Sequence, residues 1–220
     1  MTWPVVRWHG DAATFHARPL PTPTSREVWV CDPVGRALVL GSAQGDDVVD
    51  AAACAGAGVD VVRRRSGGGA VFVAPGELLW VDLLLPARDP LWSDDVGHAF
   101  LWVGDAWSGA LRDLDLVTTV HRGGLEHSRW SSLVCFAGLG PGELTDPAGR
   151  KVVGLSQRRT RDGARFQCAA LQRWDPRVLV DLLALDAAER DEAAADLATV
   201  ATGLDVDGDA LLDALIRRLP

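Results

Sequence analysis

Two short stretches carry most of the chemistry that this chain offers. The first, RRRSGGGAV at residues 63–71, sets three arginines and a serine directly before three glycines. Glycine loses more backbone freedom on folding than any other residue, so three in a row are costly in a loop with no ligand to serve. They suit a backbone that must approach a ligand without Cβ atoms in the way, its N–H groups offered to an anionic or carbonyl oxygen. Arg63 and Arg64 would supply guanidinium forks for a carboxylate or phosphate. Ser66, Gly67, Gly68, Gly69 and Ala70 form the candidate binding loop. The bland alternative is a glycine-rich bulge beside solvated arginines. No GKS or GKT follows, so this is not a phosphate-binding Walker loop, and it does not open a helix as the GxGxxG of dinucleotide folds does.

The second stretch, GRKVVGLSQRR at 149–159, holds the only lysine in a chain with 21 arginines. A surface charge would drift to arginine with the rest, so either Lys151 does something a guanidinium cannot, or it is a chance survivor. A compact ammonium with three rotatable donors can insert between an acyl carboxylate and a phosphate, where a planar fork does not fit. The stretch alternates like a strand, which predicts Lys151, Val153 and Leu155 on one face and Val152, Gly154 and Ser156 on the other. Gly154 inside a strand marks a second close backbone approach.

The elements that must position these residues read as follows. Residues 1–26, rich in Pro and Thr, predict an extended lead-in. VWVC and ALVLG are short strands around a DPVGR turn, and DDVVDAAACAGAG is a helix starting at Asp46 or Asp47. VDVVRRR is a strand, and AVFVAPGELLWVDLLLP predicts a hairpin turning at APGE. Residues 93–114 have helical spacing with a serine or aspartate cap. VTTVHR, SLVCF and GELT are short strands in an otherwise looped region. RKVVGLSQRRT and ARFQCAALQRW form a hairpin across RDGA. Three helices close the chain, within DPRVLVDLLAL, AAERDEAAADLATVAT and GDALLDALIRRL. The class is therefore α+β with a mixed, largely antiparallel sheet flanked by helices. The expected organisation is one domain over 1–220, its core at 28–183 and its terminal helices at 184–220.

Composition narrows the function. A net charge of −8 argues against nucleic-acid binding, which needs a basic face. No apolar run approaches the ~20 residues of a membrane span, and MTWPVVRWHGDAATFHARPL lacks the apolar core of a secretory signal. The expectation is a cytoplasmic protein. Four cysteines without CxxC spacing predict reduced thiols and no zinc site. DVDGD at 205–209 lacks the spacing and distal Glu of a calcium loop and reads as a helix cap. No metal site is expected.

LVLGSAQ (38–44), VDVVRRRSGGGAV (59–71) and GRKVVGLSQRR (149–159) occur in an order and spacing that resemble the lipoate-protein ligase A and octanoyltransferase family, over residues 28 to about 183. The resemblance implies the fold of biotin and lipoate ligases, with the glycine loop over an acyl chain. It implies an eight-carbon acyl or lipoyl substrate destined for a lysine of a lipoyl-carrier domain, in a 2-oxoacid dehydrogenase or the glycine cleavage system. Carried over, Arg63, Arg64 and Ser66 to Gly69 would hold the acyl-adenylate or acyl group, and Lys151 its reacting carbonyl and phosphate oxygens. The chain departs from the family where Val73 and Ala74 replace a histidine–aspartate pair. It departs again where Gln167, Cys168 and Ala169 stand in place of a histidine–glycine pair. The separate accessory domain that many lipoate ligases carry is not expected here.

The resemblance implies one of two chemistries. A ligase would use ATP and Mg2+ to form an acyl-adenylate, the favoured expectation here. A transferase would need no cofactor and would take octanoate from acyl carrier protein through Cys135, which lies in the loop upstream of Lys151 and would be activated by that ammonium. Packing within SLVCF is the alternative role for Cys135, and Cys31, Cys54 and Cys168 read as packing. His121 and His127 read as loop residues. The replaced histidines leave open a homologue that binds an acyl group or nucleotide without chemistry. Biotin attachment fits less well, because biotin ligases use a different basic loop.

Overall fold

A computed structural model of the chain describes residues 3–22 and 24–220. The strands are β1 (Val5–Gly10), β2 (Glu27–Pro33), β3 (Arg36–Leu40), β4 (Val59–Arg63), β5 (Val71–Val73), β6 (Leu78–Pro86), β7 (Thr119–Val120), β8 (Leu144–Thr145), β9 (Lys151–Arg159) and β10 (Gly163–Leu171). The helices are α1 (Ala12–Ala17), α2 (Ala51–Gly56), α3 (Leu101–Arg112), α4 (Pro176–Val180), α5 (Ala187–Leu197) and α6 (Gly208–Arg218).

Period-two patterning on β6, β9 and β10 gives a seven-stranded sheet in the order β1-β2-β6-β10-β9-β8-β7. Every pairing in it is antiparallel except β1 with β2. A second, three-stranded sheet runs β4-β3-β5. One face of the large sheet, through Val81, Leu83, Phe166 and Cys168, packs on α3 and α6 in the main core. The other face, through Leu78 and Trp80, packs on Val39, Val62 and Val73 of the small sheet and on Phe15 of α1. The chain is α+β with a mixed, largely antiparallel sheet flanked by helices.

Several expectations need correcting. The lead-in is not extended throughout: β1 and α1 form within it, with Asp11 capping α1 through Thr14 N. The APGE segment is not the turn of a hairpin, because β5 joins the small sheet by pairing with β3 while β6 joins the large one. It is the crossing between the two sheets. SLVCF is not a strand; it makes one bridge, from Val134 to Ala70, and then a short 3-10 turn at Cys135–Ala137. The alanine-rich helix starts later than predicted, capped by Asp50 rather than Asp46 or Asp47. Asp207 caps α6 through Ala210 N, as DVDGD suggested.

The most consequential correction concerns β9. Thr145 pairs with Lys151 but Leu144 pairs with Val153, so β9 advances two residues while β8 advances one. This bulge turns both Val152 and Val153 into the helix-side core. Lys151 therefore lies on the same side as Gly154, where an added Cβ would be 3.3 Å from Lys151 Cε. Strict alternation had placed them on opposite faces.

Candidate active site

Between the two sheets lies a cavity of about 50 Å³, lined mostly by apolar side chains, with Cys135, Phe136 and Gly154 among its walls. The glycine loop closes one side. Gly68 has φ +98°, and an added Cβ there would sit 2.8 Å from Arg64 Nη2 and 3.7 Å from Cys135 Sγ. Gly69 lies against the backbone of Val134, where a Cβ would come within 2.6 Å of the carbonyl carbon. Ala70 N donates to Leu133 O at 2.7 Å, and Cys135 N donates to Ala70 O at 3.0 Å. Gly67 has open space around it. The glycines thus let the loop lie directly on the segment that carries Cys135.

The two arginines divide their labour. Arg64 is buried and donates to Val39 O, to Gly67 O twice and to Gly69 O, which fixes the loop's curvature. No carboxylate among the described residues lies within ion-pair distance of it, so its positive charge stays uncompensated in the cavity wall. Arg63 turns the other way, to Gly41 O, Gln44 O and Asp46, and holds the 41–46 loop outside the cavity.

Lys151 is only 3% exposed. Its ammonium donates to Cys135 O at 3.1 Å and Gly138 O at 3.0 Å, and pairs with Glu143 Oε2 at 2.6 Å. Its three protons therefore meet three acceptors. Glu143 is equally buried and also accepts from Gly140 N at 2.6 Å and Leu155 N at 2.9 Å. Sequence reasoning missed Glu143; the one available signal is an acid inside the short strand motif GELT. Phe136, 5.0 Å from the ammonium, stands between the apolar cavity and a polar cleft of about 260 Å³. That cleft is lined by Glu126, His127, Thr145, Lys151 and Thr199 among others.

Four polar side chains sit together on the other side of Gly154. Ser66 Oγ donates to Gln167 Oε1 at 2.8 Å and lies 3.1 Å from Ser156 Oγ. Gln167 Nε2 meets His16 Nδ1 at 3.2 Å. His16, from α1, was also missed; it lies in the stretch read as a lead-in. Its ring packs on Trp80 with centroids 4.7 Å apart. Burial foremost, then the charges of Arg165 and Arg64, pushes its pKa down to about 3, so the imidazole is neutral. Arg165 anchors α1 here, donating to Phe15 O at 2.9 Å and Arg18 O at 3.2 Å while paired with the buried Asp82.

Of the four cysteines, only Cys135 is less than buried. Burial raises the pKa of Cys31, Cys54 and Cys168, which keeps them as thiols. His121 and His127 bond within their own loop, to Gly124 O and Ser131 Oγ.

The profile of the lipoyl protein ligase A/B catalytic domain matches residues 16–206. The chain belongs to this family. Members are enzymes, and their fold recurs in solved structures that this domain resembles. One is the bipartite lipoate protein ligase of Thermoplasma acidophilum, studied with its E2 lipoyl domain (TM-score 0.74, 21% identity, 99% of this chain and 82% of that one). Another is a lipoate-protein ligase A bound with ATP (TM-score 0.68, 20% identity, 99% and 84%). A third is LipL1 of P. falciparum in complex with lipoate (TM-score 0.60, 14% identity, 88% and 48%). At these identities the likeness is one of fold. No curated protein matches the chain by sequence. In this lipoyl ligase A/B domain, Val73 from the expected histidine–aspartate pair, and Gln167, Cys168 and Ala169 at the expected histidine–glycine pair, line the same cavity as His16 of α1.

Proposed function

We propose that the protein transfers a lipoyl or octanoyl group to a lysine of a lipoyl-carrier domain through a thioester on Cys135. One observation carries this reading: the least buried thiol of the chain lies in the wall of the apolar cavity, under the glycine loop, with the Lys151 ammonium bonded to its own carbonyl. The acyl chain would occupy the cavity past Gly154. The Cys135 thiolate would attack an acyl-carrier thioester, forming the new C–S bond as the carrier thiolate leaves. The carrier-domain lysine, as a free amine, would then attack that carbonyl. The C–S bond breaks, and the amine's proton passes to the departing Cys135 sulfur. The buried Arg64 charge, which lines that cavity and faces no carboxylate, would stabilise oxyanion character at the reacting carbonyl, while Lys151, paired with Glu143, would hold the Cys135 backbone in place.

The second reading, an acyl-adenylate made from ATP with Mg2+, is favoured by family membership and by the ATP-bound relative. The residues present fit a triphosphate poorly. Lys151 is the one lysine or arginine lining the polar cleft, and it is already paired with Glu143, while Glu126 adds negative charge. Among the described residues no cluster of three His, Cys, Asp or Glu side chains is placed to hold a metal ion.

Intact-mass analysis after incubation with octanoyl-acyl carrier protein tests the choice. A thioester adduct absent in Cys135→Ser supports the transferase. Pyrophosphate release that needs ATP and lipoate, with Cys135→Ser still active, would sink it in favour of the ligase. Acyl binding with neither outcome leaves a non-catalytic homologue.

A further inference from the structure

The cavity is not apolar along its whole length, and its polar part has a direction. Ser66 gives its hydroxyl proton to Gln167 Oε1, so the short Ser66–Ser156 contact must be donated by Ser156. Gln167 then has only N–H groups left for His16, and Nδ1 must accept. A neutral imidazole whose Nδ1 accepts carries its proton on Nε2. His16 is 7% exposed and lines the cavity, and among the described residues nothing accepts from Nε2. Both nitrogens are thereby committed, which makes His16 a hydrogen-bond donor rather than a general base.

The position of this donor is fixed by the strands. Lys151 and Cys135 mark the reacting end, next to Gly154. Ser156 pairs with Gln167 two residues further along β9, about 7 Å away, a distance spanned by about five or six methylenes. The glycine loop runs alongside in the same sense, with Gly68 near Cys135 and Ser66 at the Ser156–Gln167 end. A plain alkyl chain lying there would cover Nε2–H without pairing it, which is unfavourable for a buried donor.

We propose that this cavity selects an acyl chain bearing an oxygen acceptor in its distal half, such as a ketone, and that His16 Nε2–H is the donor that reads it. This rests on the acyl-transfer reading and replaces its plain octanoyl or lipoyl group with an oxygen-bearing acyl group of similar length; a sulfur in the same place would be a weaker acceptor.

Calorimetry with octanoate, lipoate and the oxo acid of octanoate's length, its ketone on the penultimate carbon, tests it. The oxo acid should bind about tenfold tighter than octanoate, with lipoate between them. In His16→Phe the ratio of oxo acid to octanoate should fall to about one. Nitrogen NMR of the wild-type imidazoles gives a check that needs no variant: His16 should be the Nε2–H tautomer, and its Nε2 signal should move on adding the oxo acid. Equal affinities for octanoate and the oxo acid, a preference that survives His16→Phe, or an Nδ1–H tautomer overturns this inference and leaves acyl transfer standing. Failure of all three acids to bind overturns this inference, while acyl transfer stands or falls with the thioester adduct on Cys135.

Discussion

Replacing Lys151 with methionine keeps most of the stem's volume and removes the charge. Its partner Glu143 then stays in the same buried place, holding Gly140 N and Leu155 N but facing no cation. Removing one member of a buried, hydrogen-bonded ion pair costs about 3–5 kcal/mol, because the other charge is left uncompensated. Cys135 O and Gly138 O lose a donor as well. For a chain of this size each kcal/mol moves the melting temperature by about 2–4 °C, so Lys151→Met should melt about 6–20 °C lower. Glu143→Gln keeps an acceptor for Leu155 N and removes the stranded charge. The double variant Lys151→Met/Glu143→Gln should therefore recover part of the loss, with a coupling of about 2 kcal/mol. Urea denaturation of the four proteins closes the cycle. If Lys151→Met loses less than about 1 kcal/mol, within the range of ordinary substitutions, the ion pair is not what holds the 135–143 loop.

Two other outcomes follow from the same site. The folded-state pKa of His16, about 3, lies below its unfolded value of about 6.5, so the unfolded chain binds a proton that the native one refuses. This contribution is harmless above pH ~6.5 and removes stability as pH falls toward 3, about 2 kcal/mol between pH 7 and pH 5; denaturation midpoints of His16→Phe should decline less steeply there, and parallel pH curves would refute it. Gly69→Ala should lower stability by about 1–3 kcal/mol and weaken acyl binding, because its Cβ meets the Val134 backbone at 2.6 Å. Gly67→Ala, with open space around it, should be near neutral by the same denaturation assay, and equal losses at the two positions would show that the loop does not rest on Val134.

The three motif stretches and their order were legible because each is a local pattern: an apolar strand running into GSAQ, an arginine–glycine run after a strand, a lone lysine in an alternating segment. The long strands β6, β9 and β10 were legible for the same reason. What escaped depends on partners far along the chain. β1 is an edge strand with alternating exposed and half-buried residues, so Val5 and Arg7 leave no strong apolar signal. α1 has six residues, and its place is set by Arg165, about 150 positions away. The β9 bulge arises from pairing with β8, which sequence alternation alone does not reveal. APGE marks a real turn, but nothing local states that the strands on either side join different sheets.

The polar chain in the cavity has a consequence for how the protein comes to exist. Its three links join residues 90, 101 and 151 positions apart. None can form before loops of that length close, and loop closure of this kind slows folding. α1 lies near the start of the chain, yet its anchor Arg165 and its partner Gln167 belong to β10, among the last strands to be made. During synthesis the N-terminal segment must therefore wait, unsatisfied, for most of the chain to emerge. A ligand that engages His16 recognises the finished domain and no fragment of it. Its binding energy stabilises the whole cooperative unit, and a refolding protein should regain affinity for such a ligand only in its final kinetic phase.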